Sequence, residues 1–192
     1  MQINRALIVS GSEKGLDIVT GFVKSCGYQS VNILSSGGEA RRIAGQEEYN
    51  LIIINTPLKD EFGYQLSLQL SETTCSGIIL ICKADIAGDM TNKTISYGVN
   101  VVPKPLNKNA FHQAILLGTA VYNRMLGVKK ENKKLQMKLE ELHYVSRAKC
   151  ILIEKNKYTE SQAHRYIEKN AMDTRRTRKE VATEIISLYD ID

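Results

Sequence analysis

Several familiar kinds of protein are excluded by what the chain has little of. Its 192 residues include no tryptophan, three prolines, three histidines and four cysteines. Cys26, Cys75, Cys82 and Cys150 form no C-x-x-C pair, which argues against a zinc site or a disulfide framework and favours a reducing compartment. The opening "MQINRALIVSG" carries an apolar run too short for a signal peptide or a membrane span, so a soluble cytoplasmic protein is expected. His112, His143 and His164 fall in no triad or ligand spacing. The turn "SGSEKG" at Ser10–Gly15 matches neither the dinucleotide nor the P-loop fingerprint. Neither catalysis nor a cofactor nor a metal is expected.

What is present is unevenly distributed. At 43% hydrophobic, a chain of this length buries one good core and leaves material for a small appendage. Residues 1–119 carry ten basic and ten acidic side chains, while residues 120–192 carry sixteen basic against eleven acidic. The whole net charge of +5 therefore lies in the last third. An acidic partner is expected there, nucleic acid being the commonest.

In the front part, short β-rich runs recur: Ala6–Val9, Val31–Leu34, Leu51–Asn55, Gly77–Cys82 and Val99–Val102. Segments of helical spacing lie between them, such as Leu16, Val19, Phe22 and Val23. "LIII" and "IILI" are apolar at every position, as parallel strands covered on both faces require. The pattern predicts a doubly wound α/β fold with a five-stranded parallel sheet, its working site beyond the strand ends at Ser10, Asn55, Cys82 and Lys104.

With Gly63 eight residues after Asn55 and "PKPL" at Pro103–Leu106, this part resembles a response-regulator receiver domain over residues 1–120. The resemblance implies that Lys104 stands where the family's phosphoryl-contacting lysine does, and that the peptide before Pro105 is cis. It also exposes departures. The family's acidic magnesium pair is Ser10 and Gly11 here, and its phosphoacceptor aspartate is Asn55, a poor nucleophile. Its strand-four hydroxyl is Cys82, and its aromatic switch is Val101. Too few carboxylates remain for a divalent metal. A pseudo-receiver is expected, without phosphoryl transfer but with a surface for a sensor, adaptor or dimer partner.

From Asn107 to about Lys155 there is no proline. Residues 121–146 read as a coiled-coil connector with Met125, Asn132 and Leu139 at a and Val128, Leu135 and Leu142 at d. A buried asparagine at a favours a parallel two-stranded register. A homodimer is expected through Val128, Asn132, Leu135, Leu139 and Leu142.

Residues 147–192 contain two capping boxes, Thr159 with Gln162 and Thr177 with Glu180. Ala148, Ile151, Leu152, Ala163, Tyr166, Ile167, Val181, Ala182, Ile185 and Ile186 fit the inner faces of a small three-helix bundle whose first helix ends the coil. "RAKCIL" at Arg147–Leu152, "TESQA" at Thr159–Ala163, "AM" at Ala171–Met172 and "EVATEII" at Glu180–Ile186 resemble the ANTAR domain, a family of RNA-binding antitermination regulators. Independently of that resemblance, Arg165, Lys169, Arg175, Arg176, Arg178 and Lys179 outnumber Glu168 and Asp173. Guanidinium groups fork onto phosphates and stack on the bases that RNA loops expose. These six residues and Tyr166 are the candidate RNA contacts, joined by Lys149, which follows Ala148 at a position basic in the family. The expected function is a dimeric antiterminator that binds stem-loops in nascent leader RNA. The alternative is a signalling adaptor whose basic tail binds an acidic protein.

Overall fold

The computed structural model describes residues 4–189. The chain forms two compact units, Met1–Val128 and Lys129–Asp192.

In the first unit the strands are β1 (Arg5–Ser10), β2 (Ser30–Leu34), β3 (Leu51–Asn55), β4 (Gly77–Lys83) and β5 (Val99–Lys104). All pair in parallel, in the order β2-β1-β3-β4-β5. The helices are α1 (Leu16–Ser25), α2 (Gly37–Gln46), α3 (Tyr64–Thr73), α4 (Ala84–Thr94) and the start of α5 (Lys108–Asn156). The five apolar runs of the sequence are these five strands, each within two residues at either end.

The sheet is buried on both faces because its side chains alternate. Ala6, Ile8, Leu51, Ile53, Ile79 and Ile81 pack with Val19 and Val23 of α1 and with Phe111 and Ile115 of α5. Leu7, Val9, Ile52, Ile54, Ile78 and Leu80 pack with Ala40 of α2, Leu66 and Leu70 of α3 and Met90 of α4. Each fully buried isoleucine contributes about 1.5–3 kcal/mol of transfer free energy, so uninterrupted apolar strands are what a two-faced sheet requires. Phe22 meets Phe111 edge to face, ring centroids 5.8 Å apart, and joins α1 to α5.

Helix α5 is continuous for 49 residues. Asn107 caps its start, its side-chain oxygen accepting from the amides of Asn109 (2.9 Å) and Ala110 (3.1 Å).

In the second unit the last turns of α5 meet α6 (Glu160–Thr174) and α7 (Arg178–Tyr189). Val145, Ala148, Leu152, Ala163, Ile167, Ala171, Val181, Ala182, Ile185 and Ile186 form their core. Both capping boxes are formed. Thr159 and Gln162 bond reciprocally, and at α7 Glu180 Oε2 accepts from the Thr177 amide (2.7 Å) while the Glu180 amide donates to Thr177 Oγ1 (3.2 Å). One expected core residue lies elsewhere. Tyr166 is 41% exposed and stands edge to face against Tyr158 at 5.8 Å; Val145 and Ala171 fill the core in positions the sequence reading did not assign.

Closed strand ends and a candidate nucleic-acid interface

At the carboxyl ends of the strands the polar groups bond to one another. Asn55 Nδ2 donates to Ser10 Oγ (2.9 Å), and the Ser10 hydroxyl donates to the Ser12 carbonyl (2.6 Å). The Lys104 ammonium donates to the Thr56 carbonyl (2.5 Å). Burial holds the Lys104 pKa below the ordinary lysine value, offset only in part by Cys82, and burial likewise pushes the Cys82 thiol up. Among the described residues no carboxylate forms an ion pair with Lys104. The peptides before Pro57 and Pro105 are cis, the second as the receiver resemblance implies.

The loop after β3 packs against this end of the sheet. A Cβ on Gly11 would lie 2.6 Å from the Pro57 carbonyl oxygen and 2.8 Å from the Leu58 carbonyl carbon, so β1 leads into a position only glycine fills without displacing backbone. Asp60 accepts from the amides of Gly37 (2.8 Å) and Gly38 (3.0 Å) in the first turn of α2, and these bonds hold its carboxyl below the usual range. Glu61 forks with Arg41, and the Lys59 amide donates to the Ser35 carbonyl (3.3 Å). A divalent cation of the receiver family does not fit these residues. Ser10 and Asn55 offer only neutral oxygens, the Ser10 hydroxyl being already bonded to Asn55 Nδ2 and to the Ser12 carbonyl, and Gly11 has no room for a carboxylate. None of this fastening was read from the sequence, although Ser36 before Gly37-Gly38 is a recognisable helix cap; it accepts from the Glu39 amide at 3.3 Å.

The candidate cations fall into two sets. Lys149 pairs with Glu160 (2.6 Å), Arg176 with Glu184 (2.6 Å), Arg178 with Glu141 (2.8 Å) and Lys179 with Glu140 (2.7 Å). Lys179 also lies over the Tyr144 ring at 5.3 Å. The partner lowers the carboxyl pKa of Glu160 and of Glu140. Arg165, Lys169 and Arg175 are exposed and make no side-chain ion pair or hydrogen bond among the described residues. At 100° per residue, Arg165, Lys169 and Met172 share one outward stripe of α6, opposite the core residues Ala163, Ile167 and Ala171.

On α5, Val128, Leu135, Leu139 and Leu142 are 47%, 50%, 66% and 65% exposed, with Asn132 exposed among them. Helical geometry puts the stripe of Leu135, Leu139 and Leu142 on a face adjacent to that of Val145, Ala148 and Leu152. The stripe residues are exposed while the latter three are buried in the bundle core.

Residues 133–186 match the ANTAR domain. Over 161 residues the chain is 26% identical to the transcriptional regulatory protein PdtaR of Mycobacterium tuberculosis, covering 83% of this chain and 78% of that protein. The front unit is similar to solved receiver folds. One is the CheY-like receiver domain of a response regulator from Methylobacillus flagellatus, at TM-score 0.51 and 17% identity over 60% of this chain and 98% of that one. Another is the signal receiver domain of an HD domain-containing protein from Pseudomonas fluorescens Pf-5, at 0.55 and 16% over 68% and 94%. Residues 133–186 thus carry an ANTAR domain, behind a unit with the receiver fold.

The matched ANTAR segment contains every candidate RNA contact and three of the five candidate pairing residues, Leu135, Leu139 and Leu142. The domain match and the similarity to PdtaR support a transcription regulator of the antiterminator family. The receiver-like unit keeps Lys104 and Pro105 at the end of β5, while Val101 is half-buried in the same strand. No helix of the described residues is long and apolar enough to cross a membrane.

Proposed function

We propose that this ANTAR regulator is a cytoplasmic RNA-binding antiterminator. It pairs as a parallel dimer along α5, and its bundles hold stem-loops in nascent leader RNA so that a terminator hairpin does not form. The observation that carries the reading is the set of unpartnered cations Arg165, Lys169 and Arg175 on the ANTAR domain. Three exposed cations without an ion-pair partner among the described residues keep their capacity for phosphates, whereas Lys149, Arg176, Arg178 and Lys179 are engaged with Glu160, Glu184, Glu141 and Glu140 and brace the bundle. Tyr166 beside the stripe adds an aromatic face on which an unpaired base stacks.

The closed strand ends support a second element of the reading: the front unit is not switched by phosphorylation. A carboxamide replaces the nucleophile, and no acidic cluster stands ready for magnesium. What remains is a folded platform for a protein partner or a second copy. On α5, Asn132 among exposed leucines supports two-stranded parallel pairing, because two facing amides satisfy one another there.

RNA recovered with the purified protein, sequenced and retested by gel shift, checks the central claim. Stem-loops bound well above duplex DNA and heparin are expected. Equal affinity for all three polyanions would sink the antiterminator in favour of a basic surface made for an acidic protein.

A further inference from the structure

The candidate RNA contacts include one residue held in a backbone conformation that its side chain does not favour. Arg175 ends α6 at φ 53° and ψ 37°, in the left-handed region. Its amide donates to the Met172 carbonyl (3.3 Å), and the Arg176 amide donates to the Ala171 carbonyl (3.0 Å). Glycine, or sometimes asparagine, is the usual residue at such a helix stop, because a Cβ there crowds the following carbonyl. No interaction of the Arg175 side chain within the bundle compensates. Glu168 is engaged by His164 and Arg178, and Glu184 by Arg176, leaving Arg175 without an ion pair among the described residues. Strain and an unused charge thus coincide at Arg175, a combination that points to a ligand contact where a pocket adjoins it.

The surroundings say which ligand. Arg175 lines a surface pocket of about 390 Å³ with Glu168, Ala171, Met172, Arg176 and Arg178. Met172 is 79% exposed, the highest exposure of any large apolar side chain described. The pocket thus joins an uncovered thioether and a methyl group to one free guanidinium, with two further guanidinium groups tied down on its wall. A carboxylate from an acidic protein would satisfy Arg175 but leave Met172 in water. A nucleobase with its phosphate satisfies both, since its flat apolar face covers the thioether while the phosphate meets the fork of Arg175.

We propose, resting on the RNA-binding reading above, that this pocket between the end of α6 and the start of α7 takes one unstacked base of an RNA loop, with Arg175 on the flanking phosphate. Lys157 is the internal control. It also holds the left-handed region, at φ 62°, and is likewise exposed and without an ion pair among the described residues, but it does not line the pocket.

The test uses the full-length protein and one stem-loop that the wild type selects from a pool with randomised loops. Arg175→Gly relieves the backbone and removes the contact, so it raises the thermal midpoint and weakens RNA binding by roughly ten- to a hundredfold. Lys157→Gly raises the midpoint similarly and changes affinity by less than about threefold, the size of a remote charge effect. Arg175→Lys recovers only part of the loss, because a point charge lacks the fork. Met172→Ala weakens binding severalfold at an unchanged salt slope. That penalty disappears when one particular loop nucleotide is made abasic, whereas abasic changes elsewhere in the loop leave it intact. Equal losses for Arg175→Gly and Lys157→Gly would reduce the effect to net charge and overturn the pocket. So would a Met172→Ala penalty that no abasic position abolishes, or competition by polyglutamate peptide at the affinity of the RNA. Those results leave stem-loop selection standing; failure of the wild type to select any stem-loop overturns both proposals.

Discussion

The two units leave their polar chemistry in opposite conditions. At the strand ends of Met1–Val128, Asn55, Ser10, Lys104 and the backbone of the following loops satisfy one another, and the loop after β3 is fastened to α2 through Asp60 and Glu61. In Lys129–Asp192 some cations are used in the same way, yet Arg165, Lys169 and Arg175 face solvent without a partner among the described residues. A fold shows what it is for by the bonding capacity it leaves over. The front unit keeps a receiver fold whose polar groups at the strand ends bond to one another, and the back unit leaves three exposed cations without an ion-pair partner among the described residues. The comparison is strengthened by charge, since the front 119 residues are balanced and the excess lies wholly behind them.

Removing the open donors gives the largest expected effect. Arg165→Ala, Lys169→Ala and Arg175→Ala together delete three phosphate contacts. At about 1.5 kcal/mol each this weakens stem-loop binding on the order of a thousandfold at low salt. The log–log salt slope flattens by about two units, at roughly 0.7 per phosphate of single strand. Lys149→Ala with Lys179→Ala removes two cations that already have carboxylate partners and lowers affinity far less. If both sets of substitutions act alike, the division into free and bracing cations is wrong.

The apolar stripe is the next leftover. Leu135→Asp with Leu139→Asp places two carboxylates per chain in the seam and converts the dimer to a monomer in sedimentation velocity at micromolar concentration. Leu135 and Leu139 are exposed and lie outside the core of α5, α6 and α7, so its melting transition persists. A wild type that already sediments as a monomer under these conditions refutes the pairing.

The closed site is probed by trying to reopen it. Gly11→Asp with Asn55→Asp restores carboxylates, but the new Cβ at residue 11 meets the backbone of Pro57 and Leu58 at under 3.0 Å. The front unit should lose about 1–3 kcal/mol through overpacking. Intact mass after acetyl phosphate and magnesium should show no phosphoryl adduct, in the variant or the wild type. A stoichiometric adduct without loss of stability would show that the site is one side chain from function rather than closed by its loops.

Much of this was legible in the sequence, for local reasons. Uninterrupted apolar runs such as Leu51–Ile54 have few ways to fold other than as a central parallel strand, and Thr159 with Gln162 or Thr177 with Glu180 announce helix starts by chemistry confined to four residues. What was not legible depends on partners distant in sequence. Glu140 and Glu141 read as solvent positions of a coil, and nothing local reveals that they engage Lys179 and Arg178, 39 and 37 residues later. The eight candidate contacts therefore looked equivalent until the pairs were seen. Tyr166 has the spacing of a core residue, but Ala163, Ile167 and Ala171 fill that face first and turn it outward. Arginine is an unexpected residue at a left-handed helix stop, so Arg175 gave no signal of its backbone. Gly11 gave none either, because its reason is the close approach of a loop 46 residues further on.

The smallest effect sharpens the comparison by separating stability from binding inside the back unit. Thr177→Ala removes the hydroxyl that accepts from the Glu180 amide and donates to Glu180 Oε2 at 2.8 Å. Loss of such a cap costs about 1 kcal/mol. The Thr177 backbone and hydroxyl hold the Glu180 carboxyl below its usual value of 4.5. A carboxylate lowered in the folded state contributes stability that is present above 4.5 and lost as pH falls through the folded value. The difference in stability between wild type and Thr177→Ala is therefore full at pH 7 and shrinks below pH 4.5. It does not vanish, because the hydroxyl still accepts from the amide when Glu180 is protonated. Thr177 adds no charge, so the salt slope for the stem-loop stays at the wild-type value. Chemical denaturation at pH 7 and below pH 4.5, paired with binding across salt, reads both quantities from one variant. A flattened slope would mean that the start of α7 touches RNA through this turn, and a deficit that grows as the pH falls would contradict the capping geometry.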